Sequence, residues 1–178
     1  METLMKVALD AGATNVGMTK VSDIVFDREF RDACAQNVCG KYGTCWMCPP
    51  DVGNIDEMIA HAKEYDEMMV FQSIGLLEDS FDFEGMGAAA VRHNQLTLAV
   101  AARAFDVVQN PLILGAGACH ICPRCTKLDE RPCAHPNKAI PSLEAYGIAV
   151  SELAAACGLA YINGVNTVTY FGGVLFRR

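Results

Sequence analysis

Eight of the nine cysteines in this 178-residue chain fall in two short stretches. The first holds Cys34, Cys39, Cys45 and Cys48; the second holds Cys119, Cys122, Cys125 and Cys133. This grouping constrains the chain more than any other feature, because thiols gathered four at a time need a shared purpose. Disulfide staples are not required. Apolar residues make up 52% of the chain, and a domain of this length buries about 70% of its unfolded surface without covalent help. Reduced thiols in quartets point instead to metal ligation. Cys157, which follows Ala154-Ala155-Ala156, stands apart and reads as a small apolar packing residue.

The second stretch is the sharper signal. In Cys119-His-Ile-Cys122-Pro-Arg-Cys125 three cysteines recur at i+3. Such a run can wrap one corner of a cubane, each thiolate on a different iron, with the remote Cys133 closing the site. Structural zinc more often uses two separated knuckles, since four ligands must form a tetrahedron about one small ion. In the first stretch, Cys45-Trp46-Met47-Cys48 is a knuckle that suits zinc or iron–sulfur equally, and Cys34 and Cys39 could complete either. Gly40 and Gly43 leave backbone amides free to turn toward the sulfurs, which would stabilise the charge of a cluster. Pro49-Pro50 closes this stretch and keeps it out of sheet interior.

Two full quartets imply two 4Fe-4S clusters, with zinc as the alternative. Whether each cluster draws its ligands from one stretch or the two exchange ligands is open at the level of spacing. His135, two residues beyond Cys133, is a candidate ligand, proton donor or surface residue, and His120 a neighbour of the site. Gly115-Ala116-Gly117-Ala118 lacks the dinucleotide fingerprint and any following Lys-Ser or Lys-Thr. Its small residues suit close backbone approach beside Cys119. Trp46 and Met47, inside the knuckle, would shield a cluster from water.

Around these stretches the pattern is that of an α/β protein, a single compact domain over residues 1–178 with helices packed on a small sheet and two cysteine-rich metal-binding loops. Helices are expected over Leu4–Ala11, from Ile55 to about Tyr65, over Gly85–Val108, from Pro141 to Tyr146, and from a Ser151 cap to Cys157. Asn54 with Glu57 three residues on reads as a capping box for the second of these. Strands are expected over Thr14–Thr19, Met68–Ile74 and Leu112–Leu114. Thr167–Phe176 reads as one or two more, with Gly172-Gly173 as a bend or a close approach. In the long helix Val91, Leu98, Ala102, Phe105 and Val108 line one face and Leu96, Val100 and Val107 a second, so it is expected to be mostly buried.

The formal charge of −7 argues against non-specific binding to a phosphate backbone. Between Asp51 and Glu84 ten acidic residues face one lysine, Lys63. This segment reads as a solvated acidic face or a docking surface for a basic partner. The longest apolar runs fall far short of a membrane span, and Met1–Lys6 carries no secretion signal. A cytoplasmic protein with reduced cysteines is the expectation, with no nucleic acid and no membrane among its partners.

Together, Cys34-x4-Cys39-Gly-x-Tyr-Gly leading to Cys48-Pro-Pro, Gly117-x-Cys119-x2-Cys122-x2-Cys125, and Cys133-x-His135-Pro with Pro141-Ser-Leu-Glu-Ala-Tyr-Gly-Ile resemble the DUF2284 family of predicted metal-binding proteins. The resemblance covers most of the chain and implies metal binding through the eight grouped cysteines, without implying a reaction. Ala134 stands where a basic residue is common in that family.

Three functions follow from these readings. The first is an iron–sulfur protein with two 4Fe-4S clusters that passes single electrons to a redox protein partner. A cluster short of one cysteine could instead expose an iron as a Lewis acid to a small substrate, which would make the protein an enzyme. The third is a zinc-stabilised interaction module that uses the acidic segment as its contact face. Electron passage between two clusters requires the two cysteine stretches to meet in space.

Overall fold

The computed structural model describes residues 2–178. Four strands, β1 (Asn15–Lys20), β2 (Glu67–Leu76), β3 (Leu112–Leu114) and β4 (Thr167–Phe176), form one sheet in the order β1-β2-β4-β3. Every pairing in it is antiparallel. Five helices accompany it: α1 (Glu2–Asp10), α2 (Phe30–Ala35), α3 (Ile55–Ala62), α4 (Phe83–Val107) and α5 (Val150–Ala156).

The sheet is covered on both faces, and the alternation of side chains along β2 sorts the core into two halves. Met69 and Phe71 point to the α1 and α4 side, where they meet Leu4, Ala8, Leu96, Val100 and Ala104. Met68 and Val70 point to the opposite side, with Met58 and Ala62 of α3, Leu153 and Ala154 of α5, and the Leu143–Ile148 turn. Coverage of both faces explains why β2 reads as a near-continuous apolar run although the sheet is antiparallel. The result is a compact three-layer α/β domain.

Several local expectations hold. Asn54 caps α3, its side chain accepting from the amides of Asp56 and Glu57. Asp82 caps α4 by accepting from the Gly85 amide at 2.8 Å. The tail is one unbroken strand, and its two glycines mark close approach rather than a bend. A Cβ on Gly172 would meet the Phe71 ring, and one on Gly173 the Met68 methyl, so the side chains of β2 lie over bare β4 backbone.

Others need correction. α5 starts at Val150 with Ala149 as its flanking residue, and Ser151 is not its cap. The chain is pinned one step earlier, where the Ala149 amide donates to the Val25 carbonyl and Ile148 bridges Phe26. Pro141–Tyr146 is not a helix but a bridge at Ser142 followed by a single 3-10 turn, Glu144–Tyr146. The six-residue α2, which carries Cys34, lies where a loop was expected. Nor is α4 mostly buried. It offers the sheet the stripe Ala89, His93, Leu96, Thr97, Val100 and Ala104, while Val91, Leu98 and Phe105 remain exposed. The smaller stripe wins because it lets the backbones approach; Ala89 sits directly over Gly75 of β2.

The acidic segment is a largely solvated face, as expected, with Asp56, Glu57, Glu64, Asp66, Glu78, Asp79 and Glu84 exposed, and four of its carboxylates are paired. Asp51 pairs with Lys127, Asp56 with Arg28, Glu64 with Arg177 and Glu67 with Arg178. The basic residues that answer it lie elsewhere in the sequence, two of them at the C-terminal end of β4. Among the described residues no helix is long and apolar enough to cross a membrane.

Candidate metal centre

Each cysteine stretch is shaped by its own backbone. Cys34 lies on the last turn of α2, which is anchored by Arg31 donating to the Ala145 carbonyl at 3.0 Å. The chain then turns through Asn37, whose side chain accepts from the Tyr42 amide at 3.0 Å, and through Gly40 and Gly43, both with positive φ. The knuckle closes as the Cys48 amide donates to the Cys45 carbonyl at 3.0 Å, and Pro49-Pro50 is joined by a cis bond. In the second stretch Cys125 precedes the 3-10 turn Thr126–Asp129, and the Thr126 hydroxyl donates to the Pro132 carbonyl at 2.9 Å. That bond folds the loop back so that Cys133 returns toward Cys125.

The two stretches meet. Trp46 donates from its indole nitrogen to the Arg131 carbonyl at 3.0 Å, across 85 residues of sequence. The Lys127 ammonium lies 4.4 Å from the centre of the Trp46 ring and pairs with Asp51, with both charged side chains largely shielded from water. Such a cation over an indole face is stronger when desolvated.

Between the joined loops is a small hollow of about 20 Å³, lined by Cys45, Cys119, Cys122, Cys125, Cys133 and His135 together with Trp46 and Met47. Five grouped cysteines therefore face one space, and one of them comes from the other stretch. Cys45 is the single buried cysteine. Its sulfur accepts from the thiol of Cys48, the amides of Met47 and Cys119 and the thiol of Cys125, which holds it below the ordinary thiol range. Cys48, as the donor in that pair and partly buried, is pushed up. Burial also raises Cys34, with Cys39 adding to the effect, and it raises Cys119. Cys157 lies away from the hollow, against the core beside Gly17, and burial pushes it up to about 11.

All nine cysteines are free thiols. Among the described residues no three His, Cys, Asp or Glu side chains form a group that could hold a metal ion. The expectation of two metal-binding loops, each with a ready ligand set, is not met in that form. The four cysteines of the second stretch share the hollow with Cys45, while Cys34, Cys39 and Cys48 do not line it. A lone tetrahedral ion would also need sulfurs about 3.8 Å apart, from a metal–sulfur bond of about 2.3 Å. The donor chemistry nonetheless suits a soft metal. The hollow offers five thiols and one imidazole, with no carboxylate. As it stands it has room for about one water, so a larger group would require the thiols to turn outward.

His120 lies outside the hollow, beside the Gly115–Ala118 turn, and Gly117 there has positive φ. The residues that sequence reasoning missed are Lys127, Asp51 and Arg131. Their pairings span 76 and 85 residues, and no local pattern signals them.

A family model described as predicted metal-binding protein (DUF2284) matches residues 18–176, which takes in both cysteine stretches, all of β2, β3 and β4 and the second half of β1. The chain belongs to this family. No curated protein and no solved structure matches it. Predicted metal binding is thus what the family description gives for this DUF2284 protein, and the hollow between the two loops is where five of its thiols converge.

Proposed function

We propose that this protein holds two 4Fe-4S clusters on Cys34, Cys39, Cys45, Cys48, Cys119, Cys122, Cys125 and Cys133 and passes single electrons to a redox protein partner. The observation that carries the reading is the convergence of five of those thiols, drawn from both stretches, on one hollow without any carboxylate. When bound, clusters would supply reversible one-electron chemistry with the charge spread over iron and sulfide. The chain would contribute ligation, the Met47 and Cys119 amides directed at the Cys45 sulfur, and exclusion of water by Trp46 and Met47.

A second reading, an enzyme with an open iron, is favoured by one particular observation. If all five thiols of the hollow, Cys45, Cys119, Cys122, Cys125 and Cys133, belong to one site, only Cys34, Cys39 and Cys48 remain for the other. Three thiolates on a four-iron cluster would leave one iron open to a small substrate.

Anaerobic purification followed by iron, sulfide and zinc analysis tests both, with electron paramagnetic resonance after dithionite reduction. About eight iron and eight sulfide per chain, four of each for each of two cores, are expected. Zinc without sulfide would end both readings and leave the interaction module. A Cys45→Ala variant then separates the two iron readings. Loss of the signal from the cluster of the second stretch, with the other retained, assigns Cys45 across the loops.

A further inference from the structure

Beside the cysteine hollow lies a much larger cavity of about 710 Å³. It is walled by the exposed stripe of α4 (Leu98, Ala102, Phe105), by Ile113 of β3, by Ile140 and by Met47 of the knuckle. A volume of this size falls within the roughly 300–1,000 Å³ typical of small-molecule sites. The stripe on α4 is what the fold leaves unused. Phe105 is 59% exposed and Leu98 37%, although a stripe of this kind ordinarily turns to the core.

The polar groups on the wall are few. Tyr146 turns its hydroxyl toward His61, at 3.5 Å from Nδ1, and so presents its ring to the cavity. The charged group is Lys138, with Asn137 beside it. The ion pairs among the described residues do not include Lys138. A long apolar wall with a lysine on one side fits a molecule with an apolar body and one anionic end.

We infer that this cavity binds a small apolar monoanion, of the class of a medium-chain or aromatic carboxylate, with its body along α4 and its anionic group at Lys138. The site shares Met47 and Ala139 with the cysteine hollow, so the ligand would lie against the other side of the same wall. Binding depends on the cavity and not on what the thiols hold, and it therefore stands apart from the cluster reading.

The test uses the purified full chain, with its iron and zinc content measured alongside. Anilinonaphthalene sulfonate, an aromatic monoanion, is titrated by fluorescence, with decanoate as competitor. Saturable binding at one site per chain, displaced by decanoate, is expected. Ala102→Trp should abolish it by filling the cavity. Should that variant not fold, Phe105→Glu, at an exposed position, should abolish it by placing a like charge on the wall. Lys138→Glu should weaken the sulfonate about tenfold, as loss of a charge-assisted contact does, while leaving a neutral probe, N-phenylnaphthylamine, unaffected. Binding that survives both wall variants would overturn the proposal. So would equal loss of charged and neutral probes in Lys138→Glu, or sedimentation showing that a second copy of the chain already covers the α4 stripe.

Discussion

Along β2 six successive residues, Glu67 to Gln72, are buried between two layers of helix, whereas among the grouped cysteines only Cys45 is buried and Cys39 is exposed. The sheet is held by area removed from water on both faces. The cysteine lobe has no apolar cluster of its own. It is held by a few directed contacts, Trp46 to Arg131 and Lys127 to Asp51, and by whatever its thiols bind. Small metal lobes commonly draw their folding energy from the metal, and on the proposed reading this lobe would do so while the sheet would not. The difference teaches where damage should stay local and where it should spread.

The largest effect should come from the sheet. Phe71 is fully buried, lies over the bare backbone of Gly172 and stacks on His93 with ring centres 5.7 Å apart. Phe71→Ala removes a whole ring from a close-packed layer and should cost about 3–5 kcal/mol, read as a shift of the urea midpoint. It should unfold the lobe along with the sheet. A lobe that kept its protease resistance in the unfolded variant would show the two regions to be independent.

Next is a titration inside the sheet's own core. His93 is fully buried, with Nδ1 2.8 Å from the Ser73 hydroxyl, between Phe71 and Tyr170. Burial lowers its pKa to about 4, with the Phe171 carbonyl offsetting part of the effect. The unfolded chain therefore binds this proton more readily than the folded one. Stability from the neutral ring is fully present above about pH 6.5 and is lost as pH falls toward 4, by roughly 3 kcal/mol in all. His93→Gln should flatten that part of the stability–pH curve. An unchanged slope between pH 6.5 and 4 would remove His93 as its cause.

The smallest effect should be confined to the lobe. Lys127→Met leaves Asp51 shielded and unpaired, at a cost of about 1–2 kcal/mol, and should speed proteolytic nicking within 34–51 and 119–138 while β2 and β4 keep their amide protection. Adding Asp51→Asn should recover most of the loss, since the stranded charge is then gone. If both variants shifted global unfolding instead, the lobe would be an integral part of the core.

The elements that could be read without tertiary information are those whose cause is local. The cap at Asn54 and the i+3 cysteine run depend on neighbours within a few positions. The apolar runs of β2 and β3 were legible for a related reason, being short and bounded by turn residues. What could not be read was set by distant partners. α4 has apolar residues on two stripes, and only the approach of Ala89 to Gly75 selects the one that packs. The acidic segment is solvated as its composition implies, but its ion-pair partners Arg177, Arg178 and Lys127 lie far along the chain and could not be read locally.

Taken alone, the sequence determined that eight thiols would stand in two short stretches of a chain able to bury a core, because spacing and composition are local quantities. Only the tertiary structure decided that Cys45 would cross to the other loop and that an apolar cavity would open beside it. Both outcomes depend on which helix face the sheet accepts and on how Trp46 and Lys127 join segments that the chain itself keeps some 80 residues apart.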